Sequence, residues 1–340
     1  MPATAHMART RSRLARELRL GLEARGYLET ETPVAVPFAG QEPHLRPLET
    51  VFTPDPPCAI EGARRLHLHT SPEYAMKRLL AREGFSRCYQ LARVFRDGEA
   101  SRTHNPEFTM LEFYAAPGDA ALVMEHLEQL IAEAARALNS RAEAPGARRP
   151  VVLEPPFERL TCREAFSRYA GFDPFPLDAE ALAQAARTVG VRLASASWDD
   201  LFTQILIDKV EPCLGIERPT FLADYPASQA ALAKLKPGGV ADRFELYAGG
   251  LELANGFSEL NDSREQRARL EDEQRQRAAL GREVFPLDEK FLAALDQMPA
   301  AGGVAVGFDR LLMLLTGAKT IADVLLFPAA EEYPAARRVK

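Results

Sequence analysis

The chain has 340 residues and a formal net charge of −6, a length that suits about two domains at roughly 150 residues each. Hydrophobic residues make up 46% of it and charged residues 26%, a composition that excludes a disordered or fibrous chain. The acidic balance excludes a surface that attracts nucleic acid throughout. No segment reaches the ~18 apolar residues of a membrane span, and no signal peptide is recognisable, so we expect a cytoplasmic protein that makes no membrane contact.

The first 25 residues predict a basic amphipathic helix. Leu14, Leu18 and Leu22 recur at helical spacing, and Gly26 follows as a helix stop. Six arginines against two glutamates give residues 1–25 a net charge of +4. A solvated helix face explains this charge more simply than a binding patch does.

A helix and two strands are predicted next. The sequence Thr-Ser-Pro-Glu at 70–73 has the spacing of a capping box and predicts a helix that ends near Gly84. Strands are predicted over CYQLARVF and EFTMLEFYAA. One face of the second strand carries Phe108, Met110, Glu112 and Tyr114. A carboxylate and a phenol among apolar neighbours indicate a lined pocket.

The rest of the chain mixes helices with strands. Helical structure is predicted over 119–139, a linker over 140–156 and mainly helical structure over 157–218. A strand (TFLADYP), a hairpin (RFELYAGGLELANGF), a charged, solvated helix at 262–280 and a glycine-rich strand (GGVAVGF) before the helix DRLLMLLTGA follow. This order indicates an α+β domain on an antiparallel sheet flanked by helices. We expect a basic helix at 1–25 and one domain over 26–340, with an insertion at about 140–218.

Two arginines are candidate phosphate ligands. Arg96 follows a predicted strand, and Arg310 follows the glycine-rich strand. The planar guanidinium group suits a phosphate because it donates two parallel hydrogen bonds to an anion. A surface salt bridge would explain either arginine taken alone.

Glu245 and Glu252 flank the predicted turn of the hairpin. If the Ala248-Gly249-Gly250 region forms a two-residue turn, both carboxylates lie on one face of the sheet, directly opposed or on a diagonal. Close carboxylates repel unless a cation lies between them, and oxygen ligands shared with phosphates suit Mg²⁺. Two exposed strand glutamates are the alternative interpretation.

In this order, the segments resemble the motifs of class II aminoacyl-tRNA synthetases, specifically the lysyl subclass. GYLETETP is similar to motif 1, whose proline, Pro33 here, marks a homodimer interface. FRDGEASRTHNPEFTMLEFY is similar to motif 2 and GVAVGFDR to motif 3, while TSPEYAMKRLL and ELANGFSELND are similar to lysine-pocket segments. The resemblance extends from about Gly26 to Pro328 and implies the α+β catalytic domain of this class.

Only 25 residues precede motif 1, too few for the five strands of ~5–6 residues in an OB-fold that reads an anticodon. We therefore expect a bare catalytic domain, similar to the ligases that attach (R)-β-lysine to a lysine side chain of translation elongation factor P. Ala305 agrees, because those ligases have alanine inside motif 3 where full-length synthetases have glycine. The resemblance implies activation of (R)-β-lysine or lysine by ATP and transfer to elongation factor P, with tRNA not expected as a partner.

The resemblance also implies roles for individual residues. Arg96 and Arg310 match the catalytic arginines on the α- and γ-phosphate of ATP, and Glu245 and Glu252 match the magnesium ligands. The other ATP positions are Asp97, Gly98, Glu99, Asn105, Leu246 and Gly307. The substrate positions are Ser71, Pro72 and Glu73 at the backbone-end amine, and Glu112, Tyr114, Glu252, Asn255, Phe257, Glu259 and Ala305 in the pocket.

Two features depart from a simple match. Asp97-Gly98-Glu99 stands where the family usually has Asn-Glu, so the adenine-contacting glutamate is displaced by one residue and Glu99 is its candidate substitute. The pocket residues between Asn255 and Glu259 have the opposite strand parity to Glu252. Because a straight strand cannot place all of them in one site, we predict a bulge or bend near Gly256.

Two alternatives remain open. A truncated lysyl-tRNA synthetase-like enzyme would hand lysine to tRNA or another carrier. A non-catalytic, synthetase-like regulator would only bind an amino acid or a translation factor. Such regulators tend to lose the phosphate arginines or the magnesium carboxylates, and all four of these residues are present here.

Overall fold

A mixed, eight-stranded sheet lies at the centre of the fold. The computed structural model describes residues 4–55, 60, 62–140, 142, 150–192 and 197–333, so much of the predicted linker at 140–156 lies outside the described residues. The strands are β1 (Leu28–Glu29), β2 (Ala35–Val36), β3 (Leu48–Phe52), β4 (Arg64–Leu68), β5 (Arg87–Phe95), β6 (Glu107–Ala115), β7 (Glu158–Thr161), β8 (Thr220–Pro226), β9 (Val240–Ala248), β10 (Leu251–Ser258) and β11 (Gly302–Gly307). The helices are α1 (Ala5–Ala24), α2 (Glu73–Leu80), α3 (Ala120–Leu138), α4 (Cys162–Tyr169), α5 (Ala179–Thr188), α6 (Trp198–Ile205), α7 (Ser263–Ala279), α8 (Glu289–Leu295), α9 (Phe308–Thr316) and α10 (Ala329–Glu332).

The sheet order joins strands that are far apart in the sequence. It runs β1-β5-β6-β11-β10-β9-β8-β7, and β2, β4 and β3 form a separate small sheet. The inner neighbours are antiparallel, whereas β1 and β7 each pair in parallel at an edge. The predicted α+β fold on an antiparallel sheet is therefore confirmed. Because β11 lies between β6 and β10, residues of the predicted motifs 2 and 3 share one surface.

One face of the large sheet packs against the hydrophobic core, and the other carries polar residues. Leu111 and Phe113 of β6 point into a core with Leu14 of α1, Val306 of β11 and Leu312 of α9. The alternate β6 positions, among them Glu112 and Tyr114, lie on the opposite face, as the alternation predicts. That face carries the polar residues of the site.

Helix α1 covers most of the predicted basic first helix, and its charge is only partly solvated. Leu14, Leu18 and Leu22 are buried, and Gly26 follows the helix with φ +77°. Arg11 forms an ion pair with Asp309, whose side chain is only 2% exposed. This arginine is anchored in the fold, so the predicted solvated face does not include it.

Helix α2 begins without the predicted capping box. Its N-cap is Pro72, whose side chain offers no hydrogen bond, and the helix ends at Leu80 instead of near Gly84. The Ser71 hydroxyl accepts a hydrogen bond from the Glu73 main-chain N–H at 2.9 Å and donates to Glu112 at 2.9 Å. Ser71 thus connects the start of α2 to the sheet.

The β9–β10 hairpin has the predicted two-residue turn. Gly249 and Gly250 have φ values of +64° and +72°, which fit the mirror-image turns that glycine favours. A register shift between Glu252 and Ala254 confirms the predicted bulge, although it lies before Gly256. A side chain at Gly256 would come within 2.5 Å of the Phe244 ring, so this glycine serves close packing instead.

The region predicted as a mainly helical insertion contains α4, α5 and α6, together with a strand. Strand β7 pairs in parallel with β8 and extends the edge of the large sheet.

The charged helix predicted at 262–280 is α7, and one of its cations is not solvated, since the Arg277 side chain is 1% exposed. It donates to the main-chain oxygens of Glu42, Leu45 and Glu283, which satisfy its buried guanidinium. In the described part of the chain, no helix is long and apolar enough to cross a membrane.

Candidate active site

A cavity of about 300 Å³ opens on the polar face of the large sheet. We call it the phosphate cavity. Its lining includes the predicted residues Arg96, Glu99, Asn105, Glu245, Glu252, Asn255, Ala305, Gly307 and Arg310. Asp97 and Gly98 lie beside it, where Asp97 forms an ion pair with Arg46. The Leu246 side chain is buried in the core on the opposite face.

Arg310 is held in the cavity by acceptors from strand β10 and from the loop before β6. It donates to the Glu252 main-chain oxygen at 2.9 Å, and its Nη2 lies 2.6 Å from His104 Nε2. Burial and the neighbouring Arg310 charge lower the pKa of His104, so its ring is neutral and Nε2 accepts this bond. The Arg310 side chain is still 19% exposed, so an anion in the cavity can reach the guanidinium.

Arg96 also lines the cavity, next to an aromatic ring. Its guanidinium carbon is 5.2 Å from the centre of the Phe108 ring, a distance at which a cation is attracted to the ring face. Glu99 is 3.8 Å from Arg96. Asn105 is buried, and its amide bonds to the Glu107 oxygen and the Ala329 N–H, so this residue fixes the loop that leads away from Arg96.

Glu245 is held by three side chains. Arg243 donates to its Oε1 at 2.6 Å, and the hydroxyls of Tyr225 and Tyr247 donate to its Oε2 at 2.6 Å and 2.5 Å. Arg243 also donates to Asn255 at 3.1 Å. The carboxylate is therefore fixed in one orientation toward the cavity.

Glu252 lies diagonally across the hairpin from Glu245. Glu252 on β10 lies opposite Tyr247 on β9, and Asn255 lies opposite Glu245. Because Tyr247 and Glu245 are two residues apart on β9, they point to one face of the sheet. Both carboxylates therefore share the predicted face. The bulge adds one residue between Glu252 and Asn255, so both side chains point to the same face of the sheet. Partial desolvation and the Glu245 charge raise the pKa of Glu252, whereas the Arg310 charge lowers it.

The two carboxylates fit a magnesium ion that also binds phosphate. No group of three or more His, Cys, Asp or Glu that could hold a metal occurs within the described ranges. An ion here would take oxygens from Glu245 and Glu252 and complete its coordination with phosphate and water, which is the usual way that Mg²⁺ binds. The 40% exposure of the Glu252 side chain leaves it accessible to such an ion.

A second group of predicted residues forms a largely buried cluster, for which we use the name amine pocket: Ser71, Glu73, Glu112, Tyr114 and Glu259. Ser71 donates to Glu112 Oε2 at 2.9 Å, and the Tyr114 hydroxyl donates to Glu112 Oε1. Burial and the charge of Glu73 raise the pKa of Glu112 to about 8. The pocket thus contains carboxyl groups that a bound ammonium group would ionise.

Glu259 lies beside Tyr114 because β11 has no side chain at Gly303. A Cβ at this glycine would come within 2.1 Å of Glu259 Oε1 and 2.3 Å of the Tyr114 ring. The Lys77 ammonium lies 2.5 Å from Glu259 Oε2 and 2.6 Å from Glu73 Oε1. Burial raises the pKa of Glu259 to about 8 even though the Lys77 charge lowers it.

Comparisons with known proteins agree with this geometry. The family described as tRNA synthetases class II (D, K and N) matches residues 1–331. The chain belongs to this class II synthetase family. It is 41% identical to the Elongation factor P--(R)-beta-lysine ligase of Proteus mirabilis over 94% of this chain and 93% of that protein. The proteins of the same name from Photorhabdus laumondii and Erwinia tasmaniensis are each 42% identical over 93% of both chains. The predicted resemblance to these ligases is confirmed.

This class II site contains residues that the sequence analysis did not single out. Arg243 and Tyr247 each stand two positions from Glu245 on β9. Residues at this spacing share a face of the strand, so the sequence could have indicated both contacts. Lys77 stands four positions after Glu73 on α2, the spacing of helical ion pairs. Tyr225 carried no such signal, because its contact with Glu245 depends on the pairing of β8 with β9.

Helix α1 supports motif 3 of this class II domain. Arg11 donates to Asp309, and also to the Thr109 hydroxyl at 2.7 Å. The Thr109 main-chain N–H donates to the other Asp309 oxygen at 2.7 Å. Asp309 directly precedes Arg310, so these bonds fix the start of α9 from which Arg310 reaches the cavity.

Proposed function

We propose that this protein is an ATP-dependent ligase that activates (R)-β-lysine, or lysine, as an adenylate and transfers it to a lysine side chain of elongation factor P. The observation that carries the proposal is that a cavity lined by Arg96, Arg243 and Arg310 and the acidic amine pocket lie on one sheet face. Their order suits a substrate with phosphate at one end and ammonium groups at the other. The relatives of nearly equal length that bear this ligase name support the choice of acceptor.

In the first step, a carboxylate oxygen of the amino acid attacks the α-phosphorus of ATP. The new P–O bond forms as the bond to the bridging oxygen breaks, and pyrophosphate leaves. Arg96 binds the α-phosphate, and Arg310 exchanges its contact with Glu252 for the γ-phosphate. The chain contributes alignment and positive charge, and no protein nucleophile is needed.

We assign a magnesium ion to Glu245 and Glu252. When bound, the ion neutralises phosphate charge. Tyr225, Tyr247 and Arg243 keep the Glu245 carboxylate oriented before ATP arrives. This orientation lowers the cost of ordering the site during binding.

The amine pocket selects the amino acid by its charge. An ammonium group that leaves water must find carboxylates and hydrogen-bond acceptors, or its desolvation prevents binding. Glu112, Tyr114 and Glu259 supply these groups at the distal end, and Ser71 to Glu73 receive the backbone-end amine. Ala305 pairs with both Asn255 and Glu112 in the sheet. Its methyl group therefore narrows the space between the phosphate cavity and the amine pocket.

In the second step, a neutral amine of the acceptor attacks the activated carbonyl carbon. The C–N bond forms, the bond to AMP breaks, and the amine proton passes to solvent. We further propose that the enzyme acts in the cytoplasm as a homodimer through the Pro33 region. Two exposed apolar side chains near Pro33, Leu28 at 56% and Val34 at 38%, support this interface.

Amino-acid-dependent exchange of pyrophosphate into ATP tests the activation step. We expect exchange with (R)-β-lysine and weaker exchange with α-lysine, because both carry two ammonium groups. Norleucine, which lacks the distal ammonium, should give none. Absence of exchange with either lysine isomer would contradict the proposal and favour a non-catalytic regulator.

A further inference from the structure

Lys77 is a buried cation to which the proposed reaction gives no part. Its side chain is 0% exposed, and it lies within the polar layer between α2 and the sheet. Its ammonium contacts Glu73 at 2.6 Å and Glu259 at 2.5 Å. Because an unpaired ammonium in the interior is costly, this double pairing explains how the lysine is tolerated there.

The two carboxylates come from different elements and meet at this one ammonium. Glu73 lies in the first turn of α2, and Glu259 directly follows β10. Lys77 stands one helical turn after Glu73, so its ammonium joins the helix to the sheet. The Phe257 ring lies 5.1 Å from this ammonium and covers another side of it.

We propose that Lys77 is a positioning residue whose ammonium is a built-in counter-ion for Glu73 and Glu259. It holds the two carboxylates in place across the pocket and cancels one of three negative charges, the third being that of Glu112. When all three carboxyl groups are ionised around a bound substrate, two of their charges remain uncompensated, and these match the two ammonium groups of lysine or β-lysine. This inference rests on the proposed function and names a determinant of its substrate charge.

Several titratable groups on neighbouring elements face this ion cluster. They are Glu73 on α2, Glu112 and Tyr114 on β6, Glu259 after β10, Cys88 on β5 and Glu42 in the loop before β3. Burial lowers the pKa of Lys77, but the charges of Glu259 and Glu73 outweigh it and the net change is upward. Lys77 therefore stays charged and favours the ionised forms of Glu112 and Glu259, both of which burial disfavours.

Lys77→Met tests the inference, because methionine keeps the apolar stem and removes the charge. Without the ammonium the carboxyl groups keep their protons to higher pH, so at pH 7 the KM for lysine should rise by about tenfold or more. The KM for ATP should change by less than about twofold, since its site is separate. The pH at which kcat/KM for lysine rises should increase by about one unit. Arg82→Met, which removes an exposed cation just beyond the same helix, is the matched control.

The outcomes separate the inference from the proposed function. Lack of lysine-dependent exchange in the wild-type protein contradicts the proposed function. Exchange in the wild type with an unchanged pH profile in Lys77→Met overturns the role of Lys77 alone. If Lys77→Met does not fold, the double variant Lys77→Met/Glu259→Gln removes the pair together. Recovery of folding in the double variant supports the pairing, whereas loss of folding in both variants assigns Lys77 a packing role and overturns the inference.

Discussion

The phosphate cavity and the amine pocket share one face of the sheet, but they hold their charges in different ways. In the cavity, Arg310 is part-exposed and bonded to groups that a phosphate can replace, such as the Glu252 main-chain oxygen. In the amine pocket, Glu259 and Lys77 are buried and paired within the protein. The cavity thus offers permanent cations to an anion, whereas the pocket offers carboxyl groups whose ionisation depends on what binds. This contrast predicts that a change of pH or the substitution of a charged residue can alter the KM for lysine without altering the KM for ATP, and the reverse.

The largest expected effect comes from Arg310→Ala at the phosphate end. The substitution removes a fixed positive charge from the position assigned to the γ-phosphate, so the exchange rate should fall by about 10²–10³. Arg16→Ala on α1, where the arginine is exposed, should leave the rate unchanged. An exchange rate in Arg310→Ala equal to that of the wild type would remove this arginine from the mechanism.

A smaller effect, limited to the amine end, is expected from Glu112→Gln. Glutamine keeps the shape but removes the charge opposite an ammonium, so the KM for lysine should rise by about 10–100-fold. The KM for ATP should change little. Glu107→Gln on the same strand, where the side chain is 46% exposed, is the control. Equal changes in both KM values would show that the two ends are not separate sites.

The smallest expected effect is the pH dependence of the wild-type enzyme. Glu112 and Glu259 both have pKa values raised to about 8, and as close neighbours they titrate together. A bound ammonium favours their ionised forms, so binding releases protons and kcat/KM for lysine should rise by about tenfold from about pH 6.5 and level off near pH 8. With lysine saturating, kcat/KM for ATP should vary less over this range. A flat lysine profile would show that these carboxyl groups are already ionised in the free enzyme.

Local patterns predicted the hairpin well. Gly249-Gly250 identified its two-residue turn, and the alternation of strand residues placed Glu245 and Glu252 on one face. The same alternation required a bulge to bring Asn255 onto that face. The bulge lies at Leu253, three residues before Gly256, because strand parity shows that a residue must be added but does not say where.

Contacts between distant segments could not be predicted in the same way. Tyr225 reaches Glu245 only because β8 pairs with β9 in one particular register. The sequence Thr70 to Glu73 carried the signal of a capping box, yet the Ser71 hydroxyl within it donates to Glu112 on strand β6. The roles assigned to individual residues came from resemblance to a family and stay predictions, although the structure gathers many of them in one cavity.

The identity of the acceptor tests the central claim most directly. Purified protein would be incubated with ATP, (R)-β-lysine, elongation factor P and lysine tRNA together, and the intact masses of both macromolecules would be measured. We predict that elongation factor P gains the mass of one lysyl group on a lysine side chain while the tRNA is unchanged. A mass gain on the tRNA alone would contradict the account and identify a tRNA-charging enzyme.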